Sequence, residues 1–158
     1  MKRIFLILAF FTLVFSACKK NDNNTTTVDP AVQAKIDDDK IVAYLAANKI
    51  TAQKDASGLY YVIVNPGSGT APTVSSTVRV AYTGTLLDGT QFDKRANENF
   101  SLNGGVIKGW QIGIPFIKPG GRIILYIPSG LAYGPAGKGS IPPNTVLIFT
   151  VDLVSFQG

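Results

Sequence analysis

Thr77-Val78-Arg79-Val80-Ala81-Tyr82-Thr83-Gly84, running on through Thr85-Leu86-Leu87-Asp88-Gly89-Thr90-Gln91-Phe92, carries the clearest structural signal in the chain. Val78, Val80 and Tyr82 fall on one side and Arg79 and Ala81 on the other, the period of two expected of a half-buried strand. Asp88-Gly89 then lies between two strand-like runs. Glycine adopts positive φ at no steric cost, so this pair predicts an antiparallel hairpin. The same period recurs further along, in Ile123, Leu125 and Ile127 and again in Leu147, Phe149, Val151 and Leu153. Such rows are expected to line one core. Between them, Val106 to Ile114 is long enough for only two helical turns before Pro115. Gly130 to Pro143, rich in Gly and Pro, reads as an irregular loop over one end of the sheet. The pattern predicts an α+β domain, a curved antiparallel sheet closed on a short helix.

The chain opens differently. Met1-Lys2-Arg3 precedes an apolar run from Ile4 to Phe15, the basic and hydrophobic regions of a signal peptide. That run is too short to span a bilayer, which takes about 20 apolar residues. It ends in Phe15-Ser16-Ala17-Cys18, small residues before the only cysteine. This junction resembles the lipobox of bacterial lipoproteins, with Phe15 where leucine is usual. The resemblance implies a signal peptide over residues 1–17, acylation of Cys18, and a protein of the bacterial cell envelope anchored to the lipid bilayer, facing periplasm or cell surface. An ordinary secretory signal with an incidental cysteine is the alternative. A lone cysteine cannot form an intrachain disulfide.

Residues 18–30 continue with the polar run Lys19 to Thr27, which cannot bury a core and is expected to be a flexible tether. Residues 31–58 form a helical segment, with a helix near 36–48 that places Ile41, Tyr44 and Leu45 on one face and the acids Asp37-Asp38-Asp39 toward its positive end. With no catalytic set on it, this helix reads as a spacer or docking element. The main domain is expected over 59–158.

Composition narrows the chemistry. The formal charge is +5, but Lys2 and Arg3 belong to the leader and the other cations are scattered, so no nucleic-acid stripe is expected. The chain contains no histidine, which removes Ser-His-Asp and Cys-His catalysis and His-based metal sites. Gly67-Ser68-Gly69 and Gly137-Lys138-Gly139 fit neither a Walker A loop nor a dinucleotide fingerprint. The carboxylates Asp88, Asp93, Glu98 and Asp152 have no metal or glycosidase spacing. Neither cofactor nor metal is expected. What stands out is aromatic, and by period alone each ring reads as plain core.

Taken in order, Val80-Ala81-Tyr82-Thr83-Gly84, Asp88-Gly89-Thr90-Gln91-Phe92-Asp93, Val106-Ile107-Lys108-Gly109-Trp110, Ala132-Tyr133-Gly134 and Ile141-Pro142-Pro143-Asn144, closing on Leu147-Ile148-Phe149, resemble the signature set of the FKBP family. The resemblance covers residues 59–158. It implies a sheet of about five strands wrapped around a short helix, and peptidyl-prolyl cis/trans isomerase activity. It makes Trp110 the pocket floor and Tyr82, Phe92 and Phe149 its walls, with Phe100 matching a further phenylalanine across a small deletion. Val106 and Ile107 edge the pocket, Asp93 and Tyr133 supply its polar groups, and Ile141 leans in from the loop. Arg95 is the residue placed to partner the aspartate, and Lys138 stands where some relatives carry histidine. The implied partners are proline-containing polypeptides and, by the same resemblance, macrolide-type inhibitors. A single short helix offers no long dimerisation arm, so a monomer is expected. The alternatives are a proline-binding chaperone or adaptor with little turnover, and an unrelated β-barrel binding module whose aromatics are only core.

Overall fold

The computed structural model of the chain describes residues 28–158. The expected signal peptide, Cys18 and all of the tether up to residue 27 lie outside the described residues.

The first element, α1 (Pro30–Ala47), begins earlier than the helix read from the sequence. Asp29 caps it, its side chain accepting the Ala31 N–H at 2.7 Å, and Pro30 occupies the first turn where its missing N–H costs nothing. The three acids expected at the positive end of the dipole sit mid-helix instead. Each is held there by its own donors: Asp37 by Ser129 and Gln33, Asp38 by Lys54 and Tyr60, Asp39 by Lys35. Specific partners outweigh the dipole, whose effect is confined to the end turns. Among the described residues no helix is long and apolar enough to cross a membrane.

Six antiparallel strands follow: β1 (Gln53–Lys54), β2 (Tyr60–Asn65), β3 (Thr77–Leu86), β4 (Gln91–Ser101), β5 (Arg122–Ile127) and β6 (Leu147–Gln157), in the order β1-β2-β5-β6-β3-β4. The expected sheet and short helix are both present. The strand beyond the five expected is the two-residue β1, in a segment read as helical. The Asp-Gly hairpin forms where the sequence placed it: Gly89 takes φ 87°, its N–H donates to the Leu86 carbonyl at 3.0 Å, and the Asp88 side chain accepts from Thr90 N–H at 2.8 Å.

The sheet has two apolar faces. On the inner one, Val78, Val80 and Tyr82 of β3, Ile123, Leu125 and Ile127 of β5, and Leu147, Phe149, Val151 and Leu153 of β6 are all buried, as their period predicts. Against them lies α2 (Lys108–Gly113), continued by a 3-10 turn over Ile114–Phe116 that contains Pro115. On the outer face Tyr60, Tyr126 and Ile148 are neighbours across three strands and pack with Ile41 and Leu45 of α1. The strand period sends alternate residues to the two helices.

Two glycines set how closely α2 meets the sheet. A methyl group at Gly109 would lie 2.8 Å from Ile127 Cδ1, and one at Gly113 3.0 Å from Leu125 Cδ1. Glycine at these positions, one helical turn apart, lets the helix backbone rest on β5.

Candidate active site

Strand β4 shapes one wall through two departures from regular pairing. Gly84 pairs with Asp93 and Thr85 with Gln91, so Phe92 is an extra residue with no partner on β3. Consecutive strand residues ordinarily face opposite ways, but this bulge turns both Phe92 and Asp93 toward one cavity. Further on, Val80 pairs with Glu98 and Tyr82 with Arg95, so β4 takes three steps where β3 takes two. Asn97 absorbs the irregularity at φ 58°. This second shift moves inward-facing positions from odd to even numbers, and it brings Phe100, opposite Val78, onto the same wall.

The floor is Trp110, 3% exposed, presented by α2. Tyr82, Phe100 and Phe149 stand around it at centroid distances of 4.9, 5.4 and 5.2 Å and interplanar angles of 84°, 81° and 83°. Phe92 continues the pattern against Phe149 at 5.4 Å and 81°. Edge-to-face contacts suit the ring quadrupole and hold each side chain in one orientation. The indole Nε1–H is buried with no acceptor among the described residues, an uncommon state for a buried donor.

One polar cluster interrupts the rings. Tyr82 Oη donates to Asp93 Oδ2 at 2.5 Å, while Asp93 Oδ1 accepts the Lys94 N–H at 2.8 Å and lies 3.0 Å from Arg95 Nη1. Arg95 Nε in turn reaches Glu98 at 3.2 Å. Burial, and then the bond to Asp93, push the Tyr82 phenol far above its usual range. Tyr133 is also raised, first by burial and then by the charge of Asp93.

The opposite rim comes from the loop between β5 and β6. Tyr133, Lys138 and Ile141 line the cavity from it, and Lys138 Nζ lies 5.1 Å from the centre of the Tyr133 ring. Val106 and Ile107 edge the mouth just before α2. Every pocket residue implied by the family resemblance therefore lines one cavity of about 420 Å³, within the range of roughly 300–1,000 Å³ common for small-ligand pockets. Arg95 is beside Asp93.

Gly84 is a residue of the site that the strand period alone does not mark. It continues the inward row Val78, Val80, Tyr82, and a methyl there would lie 2.6 Å from Phe92 Cζ and 2.9 Å from Phe149 Cε1. The empty position is what lets two rings close over the strand. Its place two residues beyond Tyr82 was the available signal.

An antiparallel sheet wrapped on a short helix thus frames an aromatic cavity with one carboxylate, Asp93, held at its wall. The chain belongs to the FKBP-type peptidyl-prolyl cis-trans isomerase family, whose model matches residues 68–154. It is 48% identical over 105 residues to the FKBP-type peptidyl-prolyl cis-trans isomerase FkpA of Escherichia coli strain K12, covering 65% of this chain and 39% of that protein. With FkpA of Aeromonas hydrophila it shares 39% identity over 142 residues, 82% of this chain and 53% of the relative. The crystal structure of a peptidyl-prolyl cis-trans isomerase from Pseudomonas syringae pv. tomato superposes with a TM-score of 0.69 at 30% identity, covering 84% of this chain and 99% of that one. The chain spans about half the length, or less, of the curated relatives it matches.

Gly84→Ala forces the Phe92 or Phe149 ring into the cavity. Overpacking of this kind costs about 1–3 kcal/mol, to be read as a lower urea midpoint at unchanged m-value.

Proposed function

We propose that this protein is a peptidyl-prolyl cis/trans isomerase that accelerates X-Pro isomerisation in exported polypeptides, anchored to a membrane of the bacterial cell envelope through acylated Cys18. The observation that carries the catalytic part is the Trp110-floored aromatic cavity with Asp93 fixed at its wall.

Rotation about an X-Pro bond meets a barrier of about 18–20 kcal/mol because it breaks amide resonance. The twisted amide is less charge-separated than either planar form. A dry aromatic cavity therefore disfavours the planar ground states more than the transition state, which lowers the barrier without any nucleophile. Proline seats on Trp110, between Tyr82, Phe92, Phe100 and Phe149. Asp93 does not act as a base: its Oδ2 accepts from the Tyr82 hydroxyl and its Oδ1 from the Lys94 N–H, with Arg95 ion-paired beside it. Its role is to fix the Tyr82 ring and place negative charge near the polarised carbonyl carbon. The Tyr133 hydroxyl and the Ile107 N–H hold the substrate carbonyls, and Ile141 closes the rim. The same cavity is the expected seat of macrolide-type inhibitors.

Turnover in a protease-coupled proline-peptide assay tests the reading. Phe92→Ala admits water to the cavity. Its folding cost, below the roughly 3–5 kcal/mol of a fully buried ring because Phe92 is only partly buried, is read separately by urea unfolding; in the folded variant the wetter cavity should lower kcat/KM by about tenfold. Tyr133→Phe deletes one hydrogen bond worth about 0.5–1.5 kcal/mol and should cost roughly two- to tenfold, with Asp93→Asn between the two. A folded Phe92→Ala that retains turnover while Tyr133→Phe abolishes it overturns the apolar-cavity mechanism.

The pH profile is a second check. Burial raises both Tyr82 and Tyr133, so each phenol stays protonated through neutral pH, and the chain has no histidine. For both tyrosines the raised value favours the protonated folded form below the ordinary phenol value of 10.0, and that contribution is lost only above it. kcat/KM should be flat from about pH 6 to 8; a bell centred there shows a titrating acid or base in control.

The anchor is tested separately. Cys18→Ser should release the protein from membrane fractions or leave its precursor unprocessed, with isomerase activity of the released protein preserved. Unchanged processing and unchanged membrane retention rule out lipidation.

A further inference from the structure

We infer that Asp37 is a positioning residue for the loop that carries Tyr133, which makes α1 a working part of the site and not a spacer. The turnover part of this inference rests on the isomerase reading above; its structural part does not.

Asp37 is 0% exposed. Its Oδ2 accepts from the Ser129 backbone N–H at 2.8 Å and the Ser129 hydroxyl at 2.6 Å, and its Oδ1 accepts from Gln33 Nε2 at 2.8 Å. A carboxyl group is tolerated in such a place only when donors surround it. Ser129 opens a 3-10 turn, Ser129–Leu131, that the preceding Pro128 does not cap with a side chain. The first N–H of a helical turn needs an acceptor from elsewhere. Asp37 supplies it across 92 residues of sequence.

From that turn the hydrogen bonds run on into the pocket rim. Ala132 N–H donates to the Ser129 carbonyl at 2.9 Å, Asn144 N–H donates to the Gly134 carbonyl at 2.8 Å, and Lys138 and Ile141 exchange bonds at 3.0 and 2.9 Å. Residues 128–144 thus form one braced body, with Tyr133 and Ile141 facing the aromatic cavity and Asp37 gripping the other side. Elsewhere the contact between α1 and this loop is open. A second cavity of about 320 Å³ separates Pro30 and Ala34 from Pro128, Leu131 and Pro135. Among the described residues, the hydrogen bonds tying α1 to the loop all end on Ser129. Ile41 and Leu45 hold α1 to the outer face of the sheet independently. Loss of the Asp37 contacts should therefore loosen the loop and leave the helix docked.

A looser loop spends time with Tyr133 and Ile141 away from the cavity, and substrate must draw them back. Apparent affinity then falls by the closed fraction, while turnover at saturation holds.

The experiment compares the full chain with Asp37→Ala and Asp37→Asn, by peptide isomerisation and by amide hydrogen exchange. Asp37→Ala should raise KM about three- to tenfold with kcat within about twofold, and speed exchange of residues 129–141 by about tenfold or more while β3 and β6 stay protected. Asp37→Asn keeps a carbonyl acceptor for the Ser129 N–H and should recover part of both effects. Loop exchange that is unchanged, or that rises equally in β3 and β6, overturns the inference, as does a loss of kcat at constant KM. If Asp37→Ala does not fold, Asp37→Asn and Ser129→Ala, each removing only some of the bonds, decide it by the same loop-against-sheet comparison. A wild-type chain without turnover would defeat the isomerase reading, and exchange would still decide the clamp.

Discussion

The close approach of α2 to β5 governs both the core and the cavity. Six residues of helix containing glycines cannot persist alone, since isolated helices shorter than about 12–15 residues are marginal and each interior glycine costs about 1 kcal/mol relative to alanine. What stabilises α2 is the apolar area buried beneath it, with Trp110, Ile114 and Ile117 all enclosed. Gly109 and Gly113 permit that burial by letting backbone meet the side chains of Ile127 and Leu125. The indole is then presented at the depth where Tyr82, Phe100 and Phe149 meet it edge-on. The side chains that close the core are also the walls of the site. Little separates folding energy from binding surface here.

The polar part of the site depends on a different device. Asp93 stands in an aromatic wall because the bulge at Phe92 turns two successive residues inward, and because donors from Tyr82 and Lys94 and the charge of Arg95 satisfy it there. Without the bulge either the ring or the carboxylate would face solvent. The chain thus sets Asp93 among rings by a local backbone irregularity, and the partners of that carboxylate come from β3 and β4.

The rows Val78-Val80-Tyr82, Ile123-Leu125-Ile127 and Leu147 to Leu153 were legible because a half-buried strand must alternate, and Asp88-Gly89 because positive φ selects glycine. Period alone made Tyr82, Trp110 and Phe149 look like plain core, and at 8%, 3% and 4% exposure they are core. Only the order of the motifs marked them as cavity residues. Asp29-Pro30 signals the true start of α1, whereas the acid run Asp37-Asp38-Asp39 imitates a helix start near residue 36. Other features left no local trace. The partner of Asp37 lies 92 residues away, and the shift around Asn97 breaks the alternation that strand reading relies on. Non-local contacts and bulges are where a one-dimensional pattern loses its hold.

The irregular pairing of β4 has a consequence for contact with other chains. β4 is an edge of the sheet, and a long straight edge is a template for intermolecular strand addition. Two breaks in its ladder and the charges of Lys94, Arg95 and Glu98 make this edge a poor template. An exposed edge of this kind invites co-aggregation with any extended polypeptide that meets it. In this domain, the kinks that aim Phe92 and Phe100 inward also blunt the strand most open to such growth.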